Sequence, residues 1–173
     1  MEELLKEDIS PNEVGTKVQS IEKLQLDLHR ADEVCRAHGQ RLTIRRKQVL
    51  SLLLQVDKAI SAYELIDLFK SNFNRTLPPM SAYRILDFLE SVNLGHKLNI
   101  ANKYVACAHI GCDHSHELPQ FLFCQQCQRV DELQGRNTSF TDLANSAEQT
   151  GYQLASPQIE LNCICNSCLS TTK

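Results

Sequence analysis

From Ile21 the apolar positions recur every three or four residues: Ile21, Leu24, Leu28, Ala31 and Cys35. That spacing marks one face of a helix, which His38-Gly39 would end. On such a face Cys35 reads as a small buried side chain rather than a reactive thiol or a ligand. Thr43 can cap a second helix, IRRKQVLSLLLQ. Ser61-Ala-Tyr-Glu64 is a capping-box pattern ahead of LIDLFK. Pro78-Pro79 stops the chain, and Ser81 can then cap AYRILDFLESVNLG. In that helix Ile85, Leu86, Leu89 and Val92 share a face, with Gly95 past its end. Three short capped helices in a row predict a helix-turn-helix module.

The periodicity then changes to alternation. HKLNIANKYVACAH holds two short runs around Ala101-Asn102 and predicts a β-hairpin, so that the module becomes a winged helix. With a two-residue loop Ile100 would pair with Lys103, and His96 with Cys107. Ala-Asn is a poor two-residue turn, which loosens that register. Further on come the apolar run FLFC, the short RVDEL and a helix from about Thr138-Ser139. A last strand has Ile159, Leu161 and Cys163 alternating with Gln158, Glu160 and Asn162. The expected fold class is α+β: a mobile tail over residues 1–20, a winged-helix DNA-binding domain over 21–103, and a small α/β metal-binding unit over 104–173.

Charge and cysteine support that division. The net charge of −3 taken alone argues against nucleic acid, but its distribution does not. Residues 1–28 balance to −4, residues 29–103 to +5 with 12 basic and 7 acidic groups, and residues 104–173 to −4. Seven of the 8 cysteines lie after residue 103. No apolar run is long enough for a membrane span. The opening MEELLKEDIS lacks the layout of a signal peptide. A cytoplasmic protein is expected, and in that compartment paired cysteines more often hold metal than form disulfides.

Cys124-x-x-Cys127 is matched by Cys165-x-x-Cys168. Each two-residue spacer turns the chain so that both sulfurs face one ion, and four thiolates suit tetrahedral zinc. Cys163 alternates with the apolar positions of the last strand and reads as packing. His96, Cys107, His109, Cys112, His114, His116 and Glu132 remain, and four of these could form a second site. A cysteine among them favours zinc over magnesium, calcium or manganese. Taken singly, His109, Cys112 and His114 read as solvated loop residues. A zinc deaminase is excluded because His116 and Glu117 are adjacent where that chemistry needs His-x-Glu. Oxidation of zinc-bound thiolates, a redox switch, is compatible with the pattern.

The stretches RLTIRRKQVLSLL, ISAYELIDLF, PPMSAYRILDFLE, HKL, YVAC, CQQCQRVDEL and CNSC together resemble the ferric uptake regulator family, specifically its zinc uptake branch. The resemblance covers about residues 30–169. It implies a dimeric repressor that binds two-fold operator DNA when loaded with metal, and two zinc ions per chain. By position, Cys124, Cys127, Cys165 and Cys168 match the structural zinc ligands. His96, Cys107 and Glu132 match three regulatory ligands, and His116, or alternatively His114, supplies the fourth. On the DNA side Ser81, Tyr83 and Arg84 match the recognition helix, Tyr63 a base-contacting tyrosine, and Arg41, Arg45 and Arg46 phosphate contacts. The iron-, manganese- or peroxide-sensing branches are the alternative. Their sites usually lack a cysteine, so Cys107 is the discriminator.

Overall fold

The computed structural model describes residues 20–110, 119–133, 138–155 and 158–171 of the 173-residue chain. Residues 1–19 of the expected tail, and the loop bearing Cys112, His114 and His116, lie outside the described residues.

Four helices come first: α1 (Ile21–Ala37), α2 (Ile44–Gln55), α3 (Ala62–Phe73) and α4 (Pro79–Ser91). Each begins where local chemistry provides for it. Ser20 caps α1 and Thr43 caps α2, each accepting a backbone N–H from the first turn. The capping box at Ser61 is complete, with Glu64 reaching back to the Ser61 N–H. Helix α4 departs from expectation. It starts at Pro79 with Pro78 as cap, and Ser81 sits inside the first turn, its N–H donating to Pro78 O. Proline at the first helical position needs no N–H and has its φ preset, so it outcompetes the serine cap two residues on. At the other end Asn93 (φ 56°), not Gly95, takes the left-handed conformation.

The hairpin pairs β1 (Gly95–Leu98) with β2 (Lys103–Ala106). Its register corrects the expected one. His96 opposes Val105 and Leu98 opposes Lys103, which leaves a four-residue loop, and the Cys107 N–H donates to Leu94 O. The cause is the loop itself. Asn102 adopts φ 50°. The Asn99 and Ile100 N–H groups are taken up by Glu160 and so are unavailable to the ladder. A shift of two residues keeps each side chain on its face. Ile60 pairs with Tyr104 on the outer edge of β2. Tyr104 joins the helical core of Cys35, Leu50, Leu65, Leu86 and Leu89, among others. Four helices and a hairpin on one core make a winged helix.

The second layer is a three-stranded sheet ordered β4-β3-β5, with β3 (Gln120–Cys124) antiparallel to β4 (Val130–Leu133) and parallel to β5 (Ile159–Cys163). Helix α5 (Thr138–Gln149) lies between β4 and β5 in sequence, and the short α6 (Asn166–Thr171) follows β5. Alternation sorts this sheet. Phe121 and Phe123 of β3 face the hairpin and form a second core with Ala59 and Leu98. The opposite face carries Leu133 (42% exposed) and Leu161 (50% exposed). Cys163, expected to be buried, is half-buried on that open face. No helix among the described residues is long and apolar enough to cross a membrane.

Candidate metal centres and nucleic-acid interface

Among the described residues, two groups of ligand-type side chains converge. The first is Cys124, Cys127, Cys165 and Cys168, whose sulfurs all lie within 4.8 Å of one another. Cys124 ends β3, Cys127 follows a tight turn, Cys165 follows β5, and Cys168 stands on α6. The parallel β3–β5 pairing, with Cys124 opposite Cys163, brings together pairs separated by 37 residues of chain. The Cys124–Cys168 sulfur distance is 3.8 Å and the Cys127–Cys165 distance 3.7 Å. A regular tetrahedron with zinc–sulfur bonds of about 2.3 Å has edges of about 3.8 Å, which these two distances match, so the donor set suits the ion. Backbone N–H groups of Cys127 and Cys165 point at the Cys124 sulfur and hold its thiol down to about 6. Hydrogen bonding to the Cys165 thiol, with burial, pushes Cys168 up. Cys163 stays outside the cluster, its thiol donating to Leu161 O.

The second group is His96, Cys107 and Glu132, again within 4.8 Å of one another. His96 and Cys107 come from the hairpin and its exit, and Glu132 comes from β4. His96 is buried, and its ring packs on Phe121 with 5.0 Å between centroids. Cys107 is 1% exposed. The Glu132 carboxylate is positioned at both oxygens: Oε2 accepts the Ala108 N–H at 3.0 Å, and Oε1 lies 3.3 Å from His109 Nδ1. The His109 N–H also donates to the Cys107 sulfur. His109, which the sequence presents as a loop residue, is therefore part of this site. Its closeness to Cys107 in the chain was the available signal. A thiolate, an imidazole and a carboxylate form a set that zinc accepts.

The helices present the other candidates. Tyr63, 65% exposed, projects from the first turn of α3, and Arg84 is exposed on α4. Ser81 and Tyr83 are half-buried, Tyr83 packing on the helical core. Arg41 and Arg45 are exposed. Arg46 is already engaged: its guanidinium sits 3.4 Å over the Phe88 ring and donates to Arg41 O at 2.7 Å.

A winged helix joined to a sheet domain, with a four-thiol cluster and a mixed-ligand group at the joint, defines the class of metal-responsive regulators. Residues 37–162 match the ferric uptake regulator family. The chain belongs to that family, which is one of regulators and not of enzymes. It is 34% identical over 143 residues to the zinc uptake regulation protein of Escherichia coli (strain K12), covering 82% of this chain and 81% of that protein. The corresponding protein of Shigella flexneri matches equally. Among solved structures it is similar to a zinc uptake regulator complexed with zinc and DNA, at a TM-score of 0.74 and 30% identity, over 86% of this chain and 97% of that one. It is also similar to holo XcZur, at a TM-score of 0.69 and 31% identity, over 83% and 96%.

Proposed function

We propose that this chain is a cytoplasmic, zinc-responsive repressor that acts as a homodimer on two-fold operator DNA and controls zinc uptake. The observation that carries this reading is the origin of the second ligand group. His96 stands on the hairpin, Cys107 at the hairpin's exit against the helical core, and Glu132 on the sheet half. Side chains from both halves sharing one ion would fix one half against the other. His116, with His114 as its alternative, is the proposed fourth ligand. Cys124, Cys127, Cys165 and Cys168 would hold a separate structural ion, giving two zinc ions per chain. The DNA-binding unit runs from residue 21 and the metal-binding dimerisation unit follows residue 103.

In a dimer the spacing of two α4 helices must match two half-sites. If the matching arrangement is only about 1% populated without the hinge ion, apparent operator affinity falls roughly a hundredfold, about 2.7 kcal/mol. Arg84 would read a base edge in the major groove. Ser81, Tyr83 and Tyr63 would lie along the groove. Arg41, Arg45 and Arg46 would meet phosphates, with Arg46 contributing mainly by ordering Arg41. The bare sheet face of Leu133 and Leu161 supports dimerisation through the C-terminal half.

The test is zinc stoichiometry together with operator binding, with and without chelator. Two ions per chain, and operator binding lost on removal of the weaker one, are expected. Cys107→Ala should keep the structural ion and lose zinc-dependent operator binding. Unchanged repression by Cys107→Ala at equal free zinc would overturn the reading, as would a response to iron or manganese in place of zinc.

A further inference from the structure

Phe121 of β3 opposes Glu132 of β4 on one side and Glu160 of β5 on the other. Residues directly opposed in a sheet share a face, so these three side chains form one row aimed at the hairpin. Each meets it at a different place. Glu132 reaches the Cys107–His109 segment. Phe121 packs on the His96 ring. Glu160 takes the hairpin tip: its carboxylate accepts the Ile100 N–H at 2.7 Å, the Asn99 N–H at 3.0 Å and the Asn99 side-chain amide at 3.3 Å. Gln158 braces the arrangement, its Nε2 donating to Lys97 O and to Glu160, both at 2.6 Å.

We infer that Glu160 is a positioning residue, which docks the wing tip on the C-terminal sheet and thereby sets the affinity of the hinge metal site. Glu160 is not itself among the proposed ligands; its hydrogen bonds go to Asn99, Ile100 and Gln158. It acts on β1, the strand that carries His96, from the end away from Cys107. Its three hydrogen bonds to the tip need no ion. The row therefore carries this clamp at one end and the proposed ligand Glu132 at the other. Docking and metal binding draw on the same closed arrangement, so each must favour the other. If loss of the clamp leaves that arrangement about one-tenth populated, hinge affinity weakens about tenfold with every ligand intact. This rests on the hinge reading above.

The test compares the full chain with Glu160→Ala and Glu160→Gln. Amide hydrogen exchange at Asn99 and Ile100 reads the clamp directly, with and without zinc. Competition with a chromogenic chelator reads hinge affinity. For Glu160→Ala we expect at least tenfold faster exchange at both amides, about tenfold weaker hinge zinc, and retention of the dimer and the four-thiol ion. Glu160→Gln, which keeps an acceptor oxygen, should fall between. Hinge affinity within twofold of the parent in both variants would overturn the inference, as would tip amides that exchange equally fast in all three chains. A parent chain that takes up a single ion would overturn the hinge reading and the affinity claim with it, while the amide comparison would still decide whether Glu160 docks the wing.

Discussion

Glu132 is preorganised by its neighbours: the Ala108 N–H and the His109 ring occupy its two oxygens. A side chain that orients a ligand without binding the ion commonly contributes a factor of about 10–100 in metal affinity. His109→Ala should therefore weaken hinge zinc by roughly that factor. His109→Gln, which can still donate to the carboxylate, should lose less. Titration against a competing chelator measures both, and equal affinity in the alanine variant would exclude His109 from the site. Arg84 makes the opposite prediction. It is exposed on α4, a helix that supplies neither ligand group. Arg84→Ala should leave zinc uptake unchanged and cost about 1–3 kcal/mol of operator discrimination, read by binding the operator and a mutated operator at fixed salt. Weak, salt-sensitive binding should persist in that variant from the remaining basic groups.

Helix α3 joins local and distant contacts through Glu64. Burial pushes its carboxyl up, but the Ser61 N–H and the Lys103 ammonium outweigh this and hold it at about 2. A carboxyl depressed in the folded state contributes stability that is complete above its unfolded value, about 4.3, and is lost as pH falls through about 2. Its side chain is 42% exposed, so solvent screening keeps the contribution small. The melting temperatures of the parent and Glu64→Gln should differ near neutral pH and converge on acidification; a constant gap would show that the charge plays no part. The same helix shows what was legible in the chain. Its cap, its face and its end follow from Ser61, Glu64, Leu65 and Phe69, because helix signals lie within a turn or two of the residues they govern. The four thiols were legible for the same reason: each pair carries its own turn. What escaped depended on distant partners. The hairpin register is set by Glu160, some sixty residues further on. Glu160 itself sits at a polar alternate position of β5, where sequence alone suggests solvent. Ser81 lost its cap because Pro78 and Pro79 start the helix earlier.

At the scale of the molecule the two halves share a seam. Ala59 and Leu98 pack on Phe121 and Phe123, and the Gln128 carbonyl, one residue past Cys127, accepts the Ala59 N–H. Among the described residues the face behind the seam exposes Leu133 and Leu161, the latter by half. Leu161→Glu should give a monomer by sedimentation that still holds its four-thiol ion; a dimer would move the proposed interface elsewhere. The seam also puts a limit on how the chain can drift. Strands β3 and β5 run parallel, with the thiol pairs just beyond their ends, so the cluster sets which residue of one strand meets which of the other. A slip of one place would bring Cys124 opposite Asn162 and turn Glu160 to the far side. Single-residue insertions or deletions within Gln120–Phe123 or Ile159–Cys163 would then leave every thiol of the cluster in the chain and break the link between them. Spacing in this part of the protein therefore matters alongside residue identity, and length changes should be tolerated only where the chain leaves the sheet.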